Sequence, residues 1–388
     1  MKLRYLLLAT TLVSGPAAAQ DALPNDLPDS LMKLYEGATT EILPSAYDDF
    51  KVEGTDWKWC HSESYQGNPW RVTVTNEMRR LVEGLNDNGI NATFEISDSN
   101  GDAGQQINQI RTFIDRGCTV ITSIVSSSTA LNDAIKAAYD AGIPFITAAG
   151  AVTSPYAINV DSNYFSWGHD MIEAIAAAEG EDATILMVEG IAGHPIVLQE
   201  KAGADKALEN HPDMKVARTV NGNWTANVTK SAVLQALATY PGEIDAVWTT
   251  GSESRAVAEA FKQAGRKPPL VTGSITGDAL GYWKENPDSY RFQGHGVLPH
   301  MTAQTLFRVA VRVLQGQAPK MNTIMVPLPE VSMDDFDALY EDCMTVDSVS
   351  VFPVPASDPL PADLMDAYFA NPAPVPGWDY ADAPSACE

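Results

Sequence analysis

From residue 57 onward, apolar runs alternate with polar turns in a steady strand–helix rhythm. Residues 57–61 read as a strand, and Val74, Met78, Leu81, Val82 and Leu85 recur at helical spacing, so a helix is predicted over 70–88 and ended by Gly89. A strand at 92–96 follows, then a polar turn and a helix over 103–116 with Ile107, Ile110, Phe113 and Ile114 on one side. The β-branched run at 119–125 has the continuous apolar character of a parallel strand buried on both faces. A helix over 130–140 and strands at 143–147 and 157–160 complete a first series.

After Asp161-Ser162-Asn163 a second series repeats the rhythm, with helices over 165–178, 196–210, 226–240 and 255–264. Its strands are read at 184–189, 216–220, 246–249, 270–273 and 291–294. A long helix over 302–314 and an extended stretch at 323–328 come last. Repeated strand–helix units with short connections predict an α/β fold with two similar doubly wound parallel-sheet domains.

Strand exits in such sheets share one edge, where ligands bind. The first exit runs Tyr65-Gln66-Gly67-Asn68-Pro69-Trp70, turn chemistry that opens a helix and offers free backbone N–H groups. Trp70 there, and Trp224 at the equivalent exit of the second series, would present two flat apolar faces from facing domains. The alternative is two indoles packed locally. Asn68 and Asn163 are short amides able to donate and accept. Ser128 and Ser274 supply hydroxyls at strand exits, and His194 and His295 are exit histidines.

Catalytic and metal chemistry have no support in the spacing. The histidines are scattered without HxH or HExxH order, and no nucleophile elbow is present. Gly190-Ile191-Ala192-Gly193 lacks the order of a dinucleotide fingerprint, so no cofactor is expected. The protein is read as a non-enzyme.

Charge and termini narrow the setting. The formal charge of −25 disfavours nucleic acid and anionic membranes as partners. Residues 1–19 have a basic start at Lys2 and Arg4, a short apolar run and Ala17-Ala18-Ala19, the layout of a secretory signal peptide. Export to the periplasm follows, with no membrane anchor in the chain. Four cysteines in an exported chain admit disulfides: Cys343 with Cys387 is favoured, while Cys60 and Cys118 are either bonded or two buried thiols.

Taken together, Gln66-Gly67-Asn68-Pro69-Trp70, Asp140-Ala141-Gly142-Ile143-Pro144-Phe145-Ile146, Val160-Asp161-Ser162-Asn163, Glu189-Gly190-Ile191-Ala192-Gly193 and Leu298-Pro299 resemble the periplasmic sugar-binding proteins of the ribose-binding type, which serve ABC transporters. The resemblance runs from about residue 56 to 345. It implies two domains joined by three crossings, near 159–162, 294–298 and 323–328, hinging shut on a solute. The implied division is 55–160 plus 297–325 for domain 1 and 161–296 plus 326–350 for domain 2. An N-terminal extension (20–54) and a Pro-rich tail (351–388) lie outside the pattern. It also implies a monomer that captures a sugar or sugar-like solute and passes it to an inner-membrane ABC permease. The alternatives are a sensor feeding a chemotaxis or kinase receptor, or a binder of a cationic or aromatic solute.

Carried over by position, the family's first-domain Asn and aromatic fall on Asn68 and Trp70, and its second-domain aromatic on Trp224. The usual Asp-Arg pair is replaced by Ala148-Ala149, the usual Arg falls near Leu198 with Gln199 and Glu200 beside it, an Asn falls on Gly251, and an Asp on Gly273 or Ser274. The expected pocket is therefore larger and less charged, with His61, Glu63, Trp248 and His295 as substitute contacts.

Overall fold

The computed structural model describes residues 23–382 and 384–387; the signal-peptide reading falls outside them. Thirteen strands are described: β1 (Asp56–Glu63), β2 (Asn91–Asp98), β3 (Val120–Ile124), β4 (Phe145–Ala148), β5 (Ala157–Asp161), β6 (Thr184–Glu189), β7 (Lys215–Asn221), β8 (Ala246–Thr249), β9 (Leu270–Val271), β10 (Arg291–Phe292), β11 (Gly294–His295), β12 (Thr323–Met325) and β13 (Glu330–Val331). One sheet has the order β12-β5-β4-β3-β1-β2 and a second β10-β9-β8-β6-β7. Every pairing in both is parallel. These are the two α/β lobes the hydrophobic rhythm predicts. β3, β4, β5 and β8 are buried along their whole length, because helices cover both sheet faces.

The chain passes between the lobes three times. It leaves the first sheet after β5, returns after β11 through the helix Pro299–Leu314, and leaves again after β12 toward β13, which pairs antiparallel with β11. β12 lies beside β5 in parallel register, Ile324 opposite Val160. Two neighbouring strands of the first sheet thus both lead into the second lobe.

Helix Pro299–Leu314 is buried on nearly every side. One face packs on helix Pro69–Gly84 and the sheet. The C-terminal tail covers the other. Arg308 Nη1 donates to Asp358 Oδ2 at 2.7 Å and Arg312 Nη2 meets Asp366 Oδ1 at 2.6 Å, so the two buried cations are paired by tail carboxylates. At the other end of the chain, Tyr35 donates to the Thr323 carbonyl at 2.7 Å, and Leu43 and Asn322 exchange hydrogen bonds. Residues 29–43 therefore brace the hinge strand β12.

Both cysteine pairs are bonded. Cys60–Cys118 lies in the first lobe with Cα atoms 6.0 Å apart, and Cys343–Cys387 ties the chain end to the second at 5.7 Å.

Candidate functional site

A cleft of about 550 Å³ opens between the lobes. On the first-lobe side, helix Pro69–Gly84 begins with Pro at its first position and Asn68 as its cap, the Asn68 carbonyl oxygen accepting from the Arg71 amide at 3.0 Å. Asn68 lines the cleft together with Trp70 and Arg71. The Trp70 indole N–H donates to the Val297 carbonyl at 2.7 Å, so its polar edge is satisfied by the hinge while the side chain lines the cleft.

The second lobe supplies Tyr164, Trp167, Ile196, Glu200, Trp224, Thr250, Gly251, Ser252 and Ser274. Trp224 follows β7 in an unusual backbone. Asn223 and Trp224 have φ of +53° and +52°, a left-handed conformation that costs a non-glycine residue roughly 1–2 kcal/mol. Two contacts hold it there. Its N–H donates to the Thr250 carbonyl at 2.9 Å, and its edge meets the His194 ring at a centroid distance of 4.8 Å. A Cβ at Gly190 would lie 2.3 Å from this indole and one at Gly251 2.6 Å from it, so both positions must be glycine. Strain of this kind persists where the surroundings over-determine it, commonly at binding sites.

The charges in the cleft come from residues the sequence reading did not single out. Arg71 is almost fully buried; it donates to Glu63 Oε1 at 2.5 Å and Ser64 Oγ at 2.9 Å. Burial pushes the Glu63 carboxyl up, but the Arg71 charge, His61 and the Tyr65 amide outweigh it and hold it below its usual range. Across the cleft, Arg71 Nη2 lies 3.3 Å from His194 Nε2. Burial, with Arg71 adding to it, holds the His194 ring well below its ordinary pKa, hence neutral. Glu200 is completely buried and neither carboxyl oxygen has a hydrogen-bond partner among the described residues. Burial, with Glu253 nearby, drives its pKa well up.

The expected site residues divide by location. Asn68, Trp70, Trp224 and Ser274 line the cleft. Glu63 and His194 stand one layer behind it, holding Arg71 and Trp224. Others are placed elsewhere by the fold. His61 is sealed in β1 against Thr122 and Phe94. Trp248 is inside the second lobe, donating to the Gly168 carbonyl at 3.2 Å. His295 is buried against Trp167. Asn163 caps helix Tyr164–Glu179 and donates to the Glu36 carbonyl at 2.6 Å. Ser128 belongs to a separate surface cavity with Leu198 and Gln199. Arg71 and Glu200 are the ionisable side chains on the described cleft lining besides Tyr164.

Residues 62–318 match the model of a periplasmic binding protein domain. The chain belongs to that family. It is 24% identical over 218 residues to the galactofuranose-binding protein YtfQ of Escherichia coli, spanning 54% of this chain and 67% of that one. It is 23% identical over 214 residues to the ribose import binding protein RbsB of Haemophilus influenzae, spanning 53% and 68%. Among solved structures, an ABC transporter solute-binding protein from Thermobispora bispora superposes with a TM-score of 0.67 at 24% identity, covering 72% of this chain and 86% of that one. The chain is thus a periplasmic binding protein, a class that binds solutes without catalysing a reaction. An extracytoplasmic location is consistent with that family. Among the described residues no group of His, Cys, Asp or Glu is arranged to hold a metal ion.

Tyr164 and Trp167 were missed because their helix start was read one residue late and as scaffold. Arg71 directly follows Trp70 and lines the cleft with it, whereas Glu200 lines the cleft and Leu198, two residues earlier, does not.

Proposed function

We propose that this protein captures a sugar or sugar-like solute in the interlobe cleft, in the periplasm, and delivers it to an inner-membrane ABC permease. The observation that carries the reading is the pair of indoles lining the cleft from opposite lobes, Trp70 and Trp224, with both N–H groups satisfied by backbone carbonyls. Their apolar faces are left for the C–H face of a ring, while Asn68, Ser252, Ser274 and Glu200 offer polar atoms around it. The galactofuranose- and ribose-binding relatives support the same class of solute.

A thermal-shift screen of pentoses, hexoses, furanose sugars and polyols tests it, because a ligand of the folded form raises the melting temperature by mass action. A hit whose shift disappears in Trp224→Ala supports the reading. Absence of any shift across the panel refutes it.

A further inference from the structure

Glu200 is the one cleft side chain whose chemistry the sugar reading leaves open. It lies on helix Pro195–Leu208, with no exposed surface, and both carboxyl oxygens lack a hydrogen-bond partner among the described residues. Its backbone has no room to retreat. The Glu200 carbonyl approaches Gly168 so closely that a Cβ there would lie 1.9 Å from it. The nearest cation in the cleft wall, Arg71, is already engaged by Glu63, Ser64 and His194. Glu253 adds further negative character. Tyr164 and the indoles of Trp70, Trp167 and Trp224 line the same cleft as Glu200.

A desolvated carboxylate without a partner is costly, and the cost is relieved by a donor that also brings positive charge. A hydroxyl can donate one hydrogen bond but leaves the charge uncompensated. An ammonium donates up to three and neutralises it, and indole faces attract it further.

We propose that Glu200 anchors a protonated nitrogen on the ligand, so that the cleft selects an amine-bearing solute, such as an amino sugar, over the matching neutral sugar. The inference rests on the reading that this cleft is the ligand site. Burial and the nearby Glu253 favour the protonated form of Glu200 in the ligand-free protein. Binding of R–NH₃⁺ forms the ion pair and releases that proton to solvent, so charge and protons balance.

Isothermal titration of the purified protein with D-glucosamine, D-galactosamine and D-mannosamine, each against its parent hexose and its N-acetyl form, decides the matter. The expected result is at least one amine bound more than about tenfold tighter than both neutral partners, the scale of a charge-assisted hydrogen bond. Proton release should appear as a buffer-dependent heat, and Glu200→Gln, folded by its melting curve, should abolish the preference. Parent hexoses bound as tightly as the amines, a preference that survives Glu200→Gln, or no amine bound at millimolar concentration each overturns the assignment. Hexose binding that is lost in Trp224→Ala but shows no amine preference leaves the cleft as a sugar site and removes only the role of Glu200. Binding of neither class removes both.

Discussion

Arg71 and His194 meet across the cleft, guanidinium Nη2 to imidazole Nε2 at 3.3 Å, a side-chain hydrogen bond between the two lobes in which the neutral ring accepts at Nε2 and carries its proton on Nδ1. Arg71 rides on the first turn of helix Pro69–Gly84 in one lobe, and His194 directly precedes helix Pro195–Leu208 of the other. Removing the imidazole leaves the Arg71–Glu63 pair intact. His194→Ala should therefore shift the ligand-free protein toward the open form by about 1 kcal/mol, the net worth of one hydrogen bond, or roughly a fivefold change in population. Small-angle scattering of the ligand-free variant should show a larger radius of gyration. Arg71→Ala is different in kind. It strands Glu63 in the interior and should cost about 3–5 kcal/mol of stability, read from denaturant unfolding.

Trp70 and Trp224 line the cleft from opposite lobes, each with its indole N–H bonded to a backbone carbonyl. Trp70→Ala and Trp224→Ala should each weaken solute binding by about 2 kcal/mol or more, as buried aromatic anchors do. Titration with the solute found by the thermal-shift screen measures it. Unchanged affinity in both variants would remove the indoles from the binding role.

Gly251→Ala tests the position of Trp224 without touching the ring itself. The added methyl would lie 2.6 Å from Trp224 Cδ1 and 2.3 Å from Glu253 Oε2, so the indole must move and its bond to the Thr250 carbonyl must stretch. The expected outcome is a shifted tryptophan emission maximum and a loss of affinity of about 1–3 kcal/mol, the usual scale of overpacking.

Buried acids set the pH response. Burial raises Asp161 to about 7 and Glu253 to about 8, the latter with help from Asp278, and raises Glu200 well above its ordinary value. A raised carboxyl contributes stability that is complete below its unfolded pKa and is lost as pH climbs through the folded one. Burial lowers His295 to about 4 and His194 further below its usual range, and the stability these contribute is lost in the opposite direction, as pH falls. Above the ordinary histidine range the acids act alone. The ligand-free protein should lose about 2 kcal/mol between roughly pH 6.5 and 8.5, and Glu253→Gln should flatten that slope in thermal melts.

The disulfides make separable contributions. Cys60–Cys118 closes a loop of 58 residues and Cys343–Cys387 one of 44, each worth about 4 kcal/mol in the chain-entropy picture. Cys343→Ser with Cys387→Ser should free the chain end to limited proteolysis while leaving solute affinity unchanged. Cys60→Ser with Cys118→Ser should lower the melting temperature more, because both sulfurs sit in the first lobe's core.

What the chain's own pattern determined was the scaffold. Apolar periodicity switching between two and three-and-a-half residues is a local property, as are Asn68-Pro69 and the glycine stops, and these are enough to place the strands and helices and to bring Asn68, Trp70, Trp224 and Ser274 to the inner edges of two sheets. Only the tertiary structure decided which side chains at those edges face the cleft. His61 and Glu63 share one face of β1 and lie 3.6 Å apart, yet only Glu63, nearer the strand end, reaches Arg71, while Trp248 turns inward to its own lobe. A helix residue depends on how its helix is rolled against its neighbour. Close backbone contact of Gly168 with the Glu200 carbonyl placed Glu200, rather than Leu198, on the cleft. That rotation arises from packing between segments distant in sequence, and no local pattern encodes it.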